Sequence, residues 1–140
     1  MEKIIKEKYK IAVIEDEEIL SESISGELED DGFLVVKAFD GESGLELVRK
    51  EKPDLILLDI IMSKQDGFYV LGAVRTNPEW KPVPIIVLSN LGGDAEIKRA
   101  LEMGADDYFV KSQHPIEMVV EKVKEYLEGG KSINPPKIGT

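Results

Sequence analysis

The sequence predicts an α/β protein in which one five-stranded parallel sheet is doubly wound, with helices on both of its faces. Apolar runs alternate with amphipathic stretches at intervals that suit repeated strand-helix units. Two of these runs, residues 55–58 and 85–88, are apolar at every position, which is typical of parallel strands covered on both faces. The length of 140 residues and the 42% apolar content fit one domain with one ordinary core.

The first two strand-helix units lie before Pro53. The first strand is predicted over Lys10–Ile14, and an acidic cluster, residues 15–18, follows it. The helix after this cluster has apolar residues at helical spacing and ends near Gly32. The second strand is predicted over residues 33–38. Asp40 is placed to cap the second helix, and Pro53 closes the connection to the third strand.

Three more strand-helix units follow. The predicted strands are residues 55–58, 85–88 and 107–110, and the predicted helices are residues 67–75, 95–103 and 115–127. Asp94 is expected to cap the fourth helix, whose apolar content is weak, and Pro115 is expected in the first turn of the fifth helix, with Gly129 beyond its end. We expect one domain over residues 1–128 and a flexible polar tail over residues 129–140.

Composition argues against several classes of site and partner. The chain has no cysteine, so it carries no disulfide framework and no thiolate metal site. Its net charge of −10 works against direct binding of nucleic acid, although the same surplus of acidic residues could serve solubility alone. No run reaches membrane length and the amino terminus lacks the apolar stretch of a signal peptide. We therefore expect a cytoplasmic protein with no membrane partner.

Polar residues stand at the carboxyl ends of four of the five predicted strands. They are Glu15 and Asp16 after the first, Asp59 after the third, Ser89 after the fourth and Lys111 after the fifth. Open parallel sheets place their ligand sites at this edge. In a sheet of order 2-1-3-4-5, the first and third strands are neighbours, so Asp16 and Asp59 are expected to face each other across the crevice between them.

This set of residues suits phosphoryl transfer. Carboxylates so close together repel one another unless a proton or a cation joins them, and oxygen ligands favour Mg²⁺. A hydroxyl and a lysine supply donors for phosphoryl oxygens, and an aspartate can itself be the nucleophile that forms an acyl phosphate. The alternative is that Asp16 only caps the first helix and Asp59 only caps the following loop. The joint pattern favours the phosphoryl-transfer interpretation.

The same residues resemble the response-regulator receiver domains of two-component signalling, a family with a flavodoxin-like fold. The resemblance covers about residues 10–127. It rests on the acidic pair Glu15-Asp16, on Asp59 followed by Met62 and Asp66-Gly67, and on Ser89 and Lys111. Ser89 comes 30 residues after Asp59, and Lys111 comes 22 residues after Ser89. One match alone would be a weak signal, but several in register are specific.

The resemblance implies a role for each acidic residue. Asp59 would accept a phosphoryl group from the phosphohistidine of a histidine kinase or a histidine phosphotransfer protein. Asp16 and Asp59 would hold Mg²⁺ together with the backbone carbonyl of Ile61. Glu15 would act mostly through water.

It also implies roles for residues on the fourth and fifth strands. Ser89 and Lys111 would each bind a phosphoryl oxygen. Tyr108 matches the family's switch aromatic, which turns inward on activation; the alternative is an ordinary aromatic residue on a half-buried strand. Ile61 and Leu91 would flank the path of the water that hydrolyses the acyl phosphate. Because neither side chain can orient water, we expect the phosphorylated form to be long-lived.

Two positions depart from the family pattern. Ser63 and Ser112 stand where the family commonly has proline, after the methionine and after the lysine respectively. A cis peptide is cheap only before proline, so the Lys111–Ser112 bond is predicted to be trans. His114, the only histidine, is expected to be an exposed loop residue rather than a proton-transfer group.

The predicted function is a stand-alone, single-domain response regulator of a phosphorelay. Its output would be a downstream protein bound by the fourth helix, fifth strand and fifth helix, with the chain a monomer or a phosphorylation-dependent dimer. It would not be a turnover enzyme. One alternative is a receiver-like scaffold that is not phosphorylated. Another is a phosphatase or flavin-binding enzyme on a similar sheet, against which stand the absence of a phosphate loop after the first strand and of a general acid at Ile61.

Overall fold

Five strand-helix units follow one another along the chain. The computed structural model describes residues 8–80 and 82–129, so the predicted tail, apart from its first residue, lies outside the described part. In chain order the elements are β1 (Lys10–Ile14), α1 (Glu18–Asp30), β2 (Leu34–Ala38), α2 (Gly41–Glu51), β3 (Leu55–Leu58), α3 (Gly67–Thr76), β4 (Ile85–Ser89), α4 (Asp94–Glu102), β5 (Asp107–Val110) and α5 (Ile116–Leu127). The predicted alternation is confirmed.

The five strands form one parallel sheet in the order β2-β1-β3-β4-β5, as predicted. The register places Ile14, the last residue of β1, beside both Ala38 of β2 and Leu58 of β3. The three strands therefore end level with one another. Because β1 and β3 are neighbours, the residues that follow them, Glu15 and Asp59, come out at the same edge of the sheet.

Each face of the sheet carries its own apolar core. Alternation along β1 sends Ala12 and Ile14 into one core and Ile11 and Val13 into the other, since successive side chains of a strand point to opposite faces. The first core is completed by residues of α2, α3 and α4, and the second by residues of α1 and α5. All four residues of β3 are buried, which explains why this strand is apolar at every position.

Several helix and strand ends differ from the predictions by one residue, among them the end of α3 at Thr76 and the end of β4 at Ser89. Gly93 is the N-cap of α4, and Asp94, predicted to be the cap, is instead its first residue. A carboxylate in the first turn still faces the positive end of the helix dipole, so either position suits it. Pro115 is the N-cap of α5 rather than a residue of its first turn. β2 starts one residue late, at Leu34, and the Phe33 N–H donates to the Leu28 carbonyl of α1. The predicted Asp40 cap is confirmed, since its carboxylate accepts the Ser43 N–H at 2.7 Å.

α4 is the most loosely anchored of the five helices within the described residues. Ala100 is its one buried residue, whereas each of the other four helices buries at least three. Fewer buried apolar groups leave a helix with less free energy holding it in place. Among residues 8–80 and 82–129, none of the helices combines the length and apolar character that crossing a bilayer requires.

A buried carboxyl group at the start of β5 makes the stability of the fold depend on pH. Asp107 has no exposed surface, and burial is the main reason that its pKa rises to about 6. Lys122 and the Tyr126 hydroxyl oppose that rise only in part. Because the folded-state pKa lies above the ordinary value of 3.8, the stability linked to this group is complete below pH 3.8 and is lost as the pH rises through about 6.

We therefore expect Asp107→Asn to raise the free energy of unfolding by about 2 kcal/mol near neutral pH, and the gain to shrink as the pH falls toward about 4. The measurement is urea unfolding of both proteins across this range. Glu121→Gln, on the exposed face of α5, is the control and should leave the pH profile unchanged. A gain that is the same at every pH would contradict the assignment.

Candidate functional site

Three carboxylates meet where β1 and β3 end. One oxygen from each of Glu15, Asp16 and Asp59 lies within 4.8 Å of the others. Glu15 and Asp59 are 3% and 4% exposed, whereas Asp16 is exposed. The backbone fixes this arrangement, because the Asp59 N–H donates to the Ile14 carbonyl at 3.0 Å and the Glu15 N–H donates to the Ala38 carbonyl at 3.0 Å. The sheet edge thus brings together the acidic residues that the sequence singled out.

Lys111 reaches these carboxylates from the end of β5. Its Nζ lies 3.2 Å from Asp59 Oδ2 and 3.1 Å from Glu15 Oε1. A third carboxylate, Glu17, lies 3.7 Å from the same nitrogen. The lysine side chain is 11% exposed, so these ion pairs are largely shielded from water. The sequence predicted Lys111 at this site but not the contribution of Glu17, which it placed only within an acidic run.

The site holds more negative charge than its lysine can neutralise. Burial, and after it the Asp59 charge, raises the pKa of Glu15 to about 7, and the same two causes raise the pKa of Asp16. Burial lowers the pKa of Lys111, but the Asp59 and Glu15 carboxylates outweigh it, so the net shift is upward. Both carboxyl groups thus hold their protons more tightly, first because of desolvation and second because of the Asp59 charge, while the lysine is kept in its charged form.

The donor set fits a divalent metal ion. Glu15, Asp16 and Asp59 carry three negative charges when ionised, and Lys111 offsets one of them. A surplus of two negative charges on closely spaced carboxylate oxygens is what a hard divalent cation such as Mg²⁺ satisfies best. Repulsion from Asp59, which after desolvation is the second cause of the raised pKa values of Glu15 and Asp16, agrees with that surplus.

A second chain of contacts connects the end of β4 to β5. Ser89 has no exposed surface, and its Oγ accepts the Leu91 N–H at 3.2 Å. The Tyr108 hydroxyl donates to the Leu91 carbonyl at 2.6 Å. Tyr108 is fully buried, not half-buried, and burial is the main cause of its raised pKa. Leu91, which was predicted only to flank the site, therefore joins the serine to the tyrosine.

The loop after β3 is fixed at several points. The Ile61 N–H donates to Asp59 Oδ1 at 3.2 Å, while the Ile61 side chain is 53% exposed. Lys64 and Gln65 both adopt positive φ, at 49° and 74°, which L residues seldom do. Gly67 ends the loop, and a Cβ there would overlap the carbonyl of Asp59, so only glycine lets α3 start this close to the site.

α2 is packed against the same loop. The Glu42 N–H donates to the Lys64 carbonyl at 2.9 Å, so the first turn of α2 binds the backbone of the loop that follows Asp59. A Cβ on Gly41 would overlap the carbonyl oxygen of Gln65. Sequence reasoning missed this contact. A glycine after a cap residue was its only visible sign.

The turn after β5 also differs from expectation in one respect. No peptide bond among residues 8–80 and 82–129 is cis, so the Lys111–Ser112 bond is trans, as predicted. His114 lies in a loop, as predicted, but the prediction that it is exposed was wrong, because it is partly buried and contacts Val110 and Phe109. Its position three residues after the lysine was the signal available in the sequence.

Comparison with known proteins identifies similar chains. A family model described as a response regulator receiver domain matches residues 11–123. A probable transcriptional regulator, ycf27, of Guillardia theta is 40% identical over 114 residues, which is 81% of this chain and 44% of that protein. The regulatory protein VanRc of Enterococcus gallinarum is 35% identical over 118 residues, which is 84% of this chain and 49% of that protein. The chain thus spans about half the length of these curated relatives.

Solved structures show the same fold. The receiver domain of the Francisella response regulator 1452 superposes with a TM-score of 0.81 at 27% identity, covering 89% of this chain and 100% of that one. The BeF₃-activated amino-terminal receiver domain of Klebsiella pneumoniae RstA superposes with a TM-score of 0.78 at 32% identity, covering 84% and 97%.

Proposed function

Because the chain belongs to the response-regulator receiver-domain family of two-component systems, we propose that Asp59 accepts a phosphoryl group from a histidine kinase or a histidine phosphotransfer protein. Receiver domains partner with histidine kinases and bind Mg²⁺ at an acidic pocket. The observation that carries the proposal is the placement of Asp59, a nearly buried carboxylate whose Oδ2 lies 3.2 Å from Lys111 Nζ. A nucleophile held beside a cation is what acyl phosphate formation needs.

The transfer exchanges one bond to phosphorus for another. A carboxylate oxygen of Asp59 attacks the phosphorus, the bond from phosphorus to the donor imidazole nitrogen breaks, and the electron pair stays with that nitrogen. Lys111 neutralises charge on a phosphoryl oxygen, and the Ser89 hydroxyl donates to another. When bound, Mg²⁺ would offset further oxygen charge. Asp16, Asp59 and the Ile61 carbonyl would hold it directly, and Glu15 would do so through water.

Incubation with a small acyl phosphate and Mg²⁺, followed by intact mass measurement, tests this function. The expected result is one phosphoryl adduct per chain, and none when the metal is chelated. A receiver-like scaffold would gain no mass. A phosphatase would release phosphate over many turnovers without a lasting adduct. We propose that this protein is not a turnover enzyme and keeps the adduct.

We propose that the output is a protein contact on the face formed by α4, β5 and α5. The hydrogen bonds from Ser89 through Leu91 to Tyr108 lead from the site toward this face, and α4 is weakly anchored there. The net charge of −10 disfavours direct contact of this chain with nucleic acid, even though relatives are named as transcriptional regulators. The active form would be a monomer or a phosphorylation-dependent dimer bound to a downstream protein.

Phosphorylation should change amide hydrogen exchange mainly between Ser89 and Lys111. A shift of the serine hydroxyl toward the phosphoryl group would break its bond to the Leu91 N–H and release the segment that leads into α4. Exchange followed by mass spectrometry, with and without the acyl phosphate, measures this. The same treatment of Asp59→Asn should produce no change. Differences confined to α1 and α2 would rule out the proposed output face.

The adduct should be long-lived, because neither Ile61 nor Leu91 can orient an attacking water. Replacing them with polar side chains, as Ile61→Asn and Leu91→Glu, should speed decay by roughly fivefold or more by positioning that water. Decay is followed in Mg²⁺ after the donor is removed. Leu34→Glu, a partly exposed position on the distant strand β2, is the control. If the site substitutions left the lifetime unchanged or lengthened it, these residues would not control hydrolysis.

A further inference from the structure

The turn that carries Lys111 is bound to the end of β5 by backbone hydrogen bonds and by the imidazole of His114. The N–H groups of Gln113 and His114 both donate to the Val110 carbonyl, at 2.9 Å and 3.0 Å. His114 Nδ1 also lies 3.1 Å from the Val110 nitrogen and 3.2 Å from the Val110 carbonyl oxygen. The residue immediately before the lysine is therefore bound by both the backbone and the side chain of His114.

The pattern of donors favours one direction for the side-chain hydrogen bond. β5 is an edge strand, and the Lys111 N–H donates inward to the Ser89 carbonyl at 2.8 Å. Since successive N–H groups of a strand alternate in direction, the Val110 N–H points to the open edge and needs an acceptor. Its carbonyl already accepts two N–H groups. We therefore assign His114 Nδ1 as the acceptor of the Val110 N–H, which places the imidazole proton on Nε2.

The ring itself is anchored in the core. It meets the Phe109 ring edge to face, with centroids 5.2 Å apart and planes at 83°. Phe109 is 5% exposed and packs with α1 and α5. The imidazole therefore connects a fixed aromatic residue to the Val110 amide, and the Lys111 backbone is held from both sides.

We propose that His114 is a positioning residue for Lys111, holding its ammonium group beside Asp59 through the Val110 amide. This inference rests on the proposed phosphoryl transfer to Asp59. Lys111 Nζ must approach two nearly buried carboxylates within 3.2 Å, and a small displacement of its backbone would lengthen both ion pairs. The hydrogen bond and the ring contact of His114 together restrict that displacement.

Three substitutions of His114 distinguish the effect of the hydrogen-bond acceptor Nδ1 from the effect of the aromatic ring. Asn places an oxygen at the position of Nδ1, so His114→Asn keeps the acceptor without the ring. His114→Phe keeps the ring without the acceptor, and His114→Ala removes both. Ser112→Ala, on the same turn and exposed, is the matched control. The measurements are amide exchange at Val110 and Lys111, the rate of adduct formation with a small acyl phosphate and Mg²⁺, and the imidazole tautomer by ¹⁵N NMR.

We expect Val110 exchange to be about tenfold faster in the Phe and Ala variants and close to wild type in the Asn and Ser112→Ala variants. The adduct rate should fall about tenfold in the Phe and Ala variants and recover in the Asn variant. The wild-type ring should carry its proton on Nε2. Equal exchange in all variants, a Phe variant that behaves as wild type, or a proton on Nδ1 would overturn the inference. If wild type itself gained no adduct, the proposed function would fail, and amide exchange with the tautomer would still decide the role of His114.

Discussion

Asp59→Asn should gain no phosphoryl group under conditions in which the wild-type protein is fully modified. An amide oxygen is a far weaker nucleophile than a carboxylate and carries no charge to place beside Lys111. The effect is expected to be complete rather than partial, because Asp59 is the acidic residue at the end of the fully buried central strand β3. Intact mass after incubation with an acyl phosphate and Mg²⁺ measures it.

The same variant should be more stable than the wild-type protein, by roughly 1–2 kcal/mol. Asp59 raises the pKa of both Glu15 and Asp16, so its removal relieves repulsion, and Lys111 keeps Glu15 as a partner. Urea unfolding measures the gain in the free energy of unfolding. A variant that is at least as stable as wild type would show that the missing adduct does not result from unfolding. Asp30→Asn, on the exposed face of α1, should alter neither property. An adduct on Asp59→Asn would mean that another residue is the acceptor.

Gly41→Ala should lower the free energy of unfolding by about 3 kcal/mol. A methyl group there would overlap the carbonyl oxygen of Gln65, which is backbone and cannot turn aside. The loop or α2 would have to move, breaking the bond from the Glu42 N–H to the Lys64 carbonyl. Because this loop follows Asp59, we also expect slower adduct formation.

Gly26→Ala is the matched control for that substitution. Gly26 lies inside α1, and a Cβ there would meet nothing within 4 Å. Alanine favours the helix over glycine, so this change should stabilise the protein by about 0.5–1 kcal/mol. Opposite signs for the two substitutions in one urea-unfolding series are the expected outcome. Equal effects would show that the contact between α2 and the loop is not tight.

The sequence was sufficient for most of the fold because parallel strands, buried on both faces, appear as uninterrupted apolar runs. β3 and β4 were located in this way. Helix starts were harder to place when two neighbouring residues both suit a cap. At α4 the pair Gly93-Asp94 allowed either assignment, and the backbone chose the glycine.

The candidate site could be predicted where it depends on strand ends. Glu15, Asp16, Asp59 and Lys111 converge because parallel strands finish at one edge. Contacts between loops follow no periodicity, so the contact of His114 with Val110 and the packing of α2 on the loop after Asp59 left only single-residue signs, a histidine near the lysine and a glycine after a cap. Such contacts depend on backbone paths that only the folded chain defines.

The surplus of negative charge around Asp59 also bears on how far this protein could be stabilised. The carboxylates that suit the site to a cation repel one another whenever no cation is bound, so the resting fold is weaker than its apolar core alone would make it. Neutralising Glu15, Asp16 or Asp59 would therefore stabilise the fold, as Asp107→Asn would, but it would also remove the carboxylates proposed to bind the cation and the phosphoryl group. A more thermostable version of this receiver would have to gain stability from substitutions elsewhere, as at Gly26. The repulsion between the carboxylates at the sheet edge would remain.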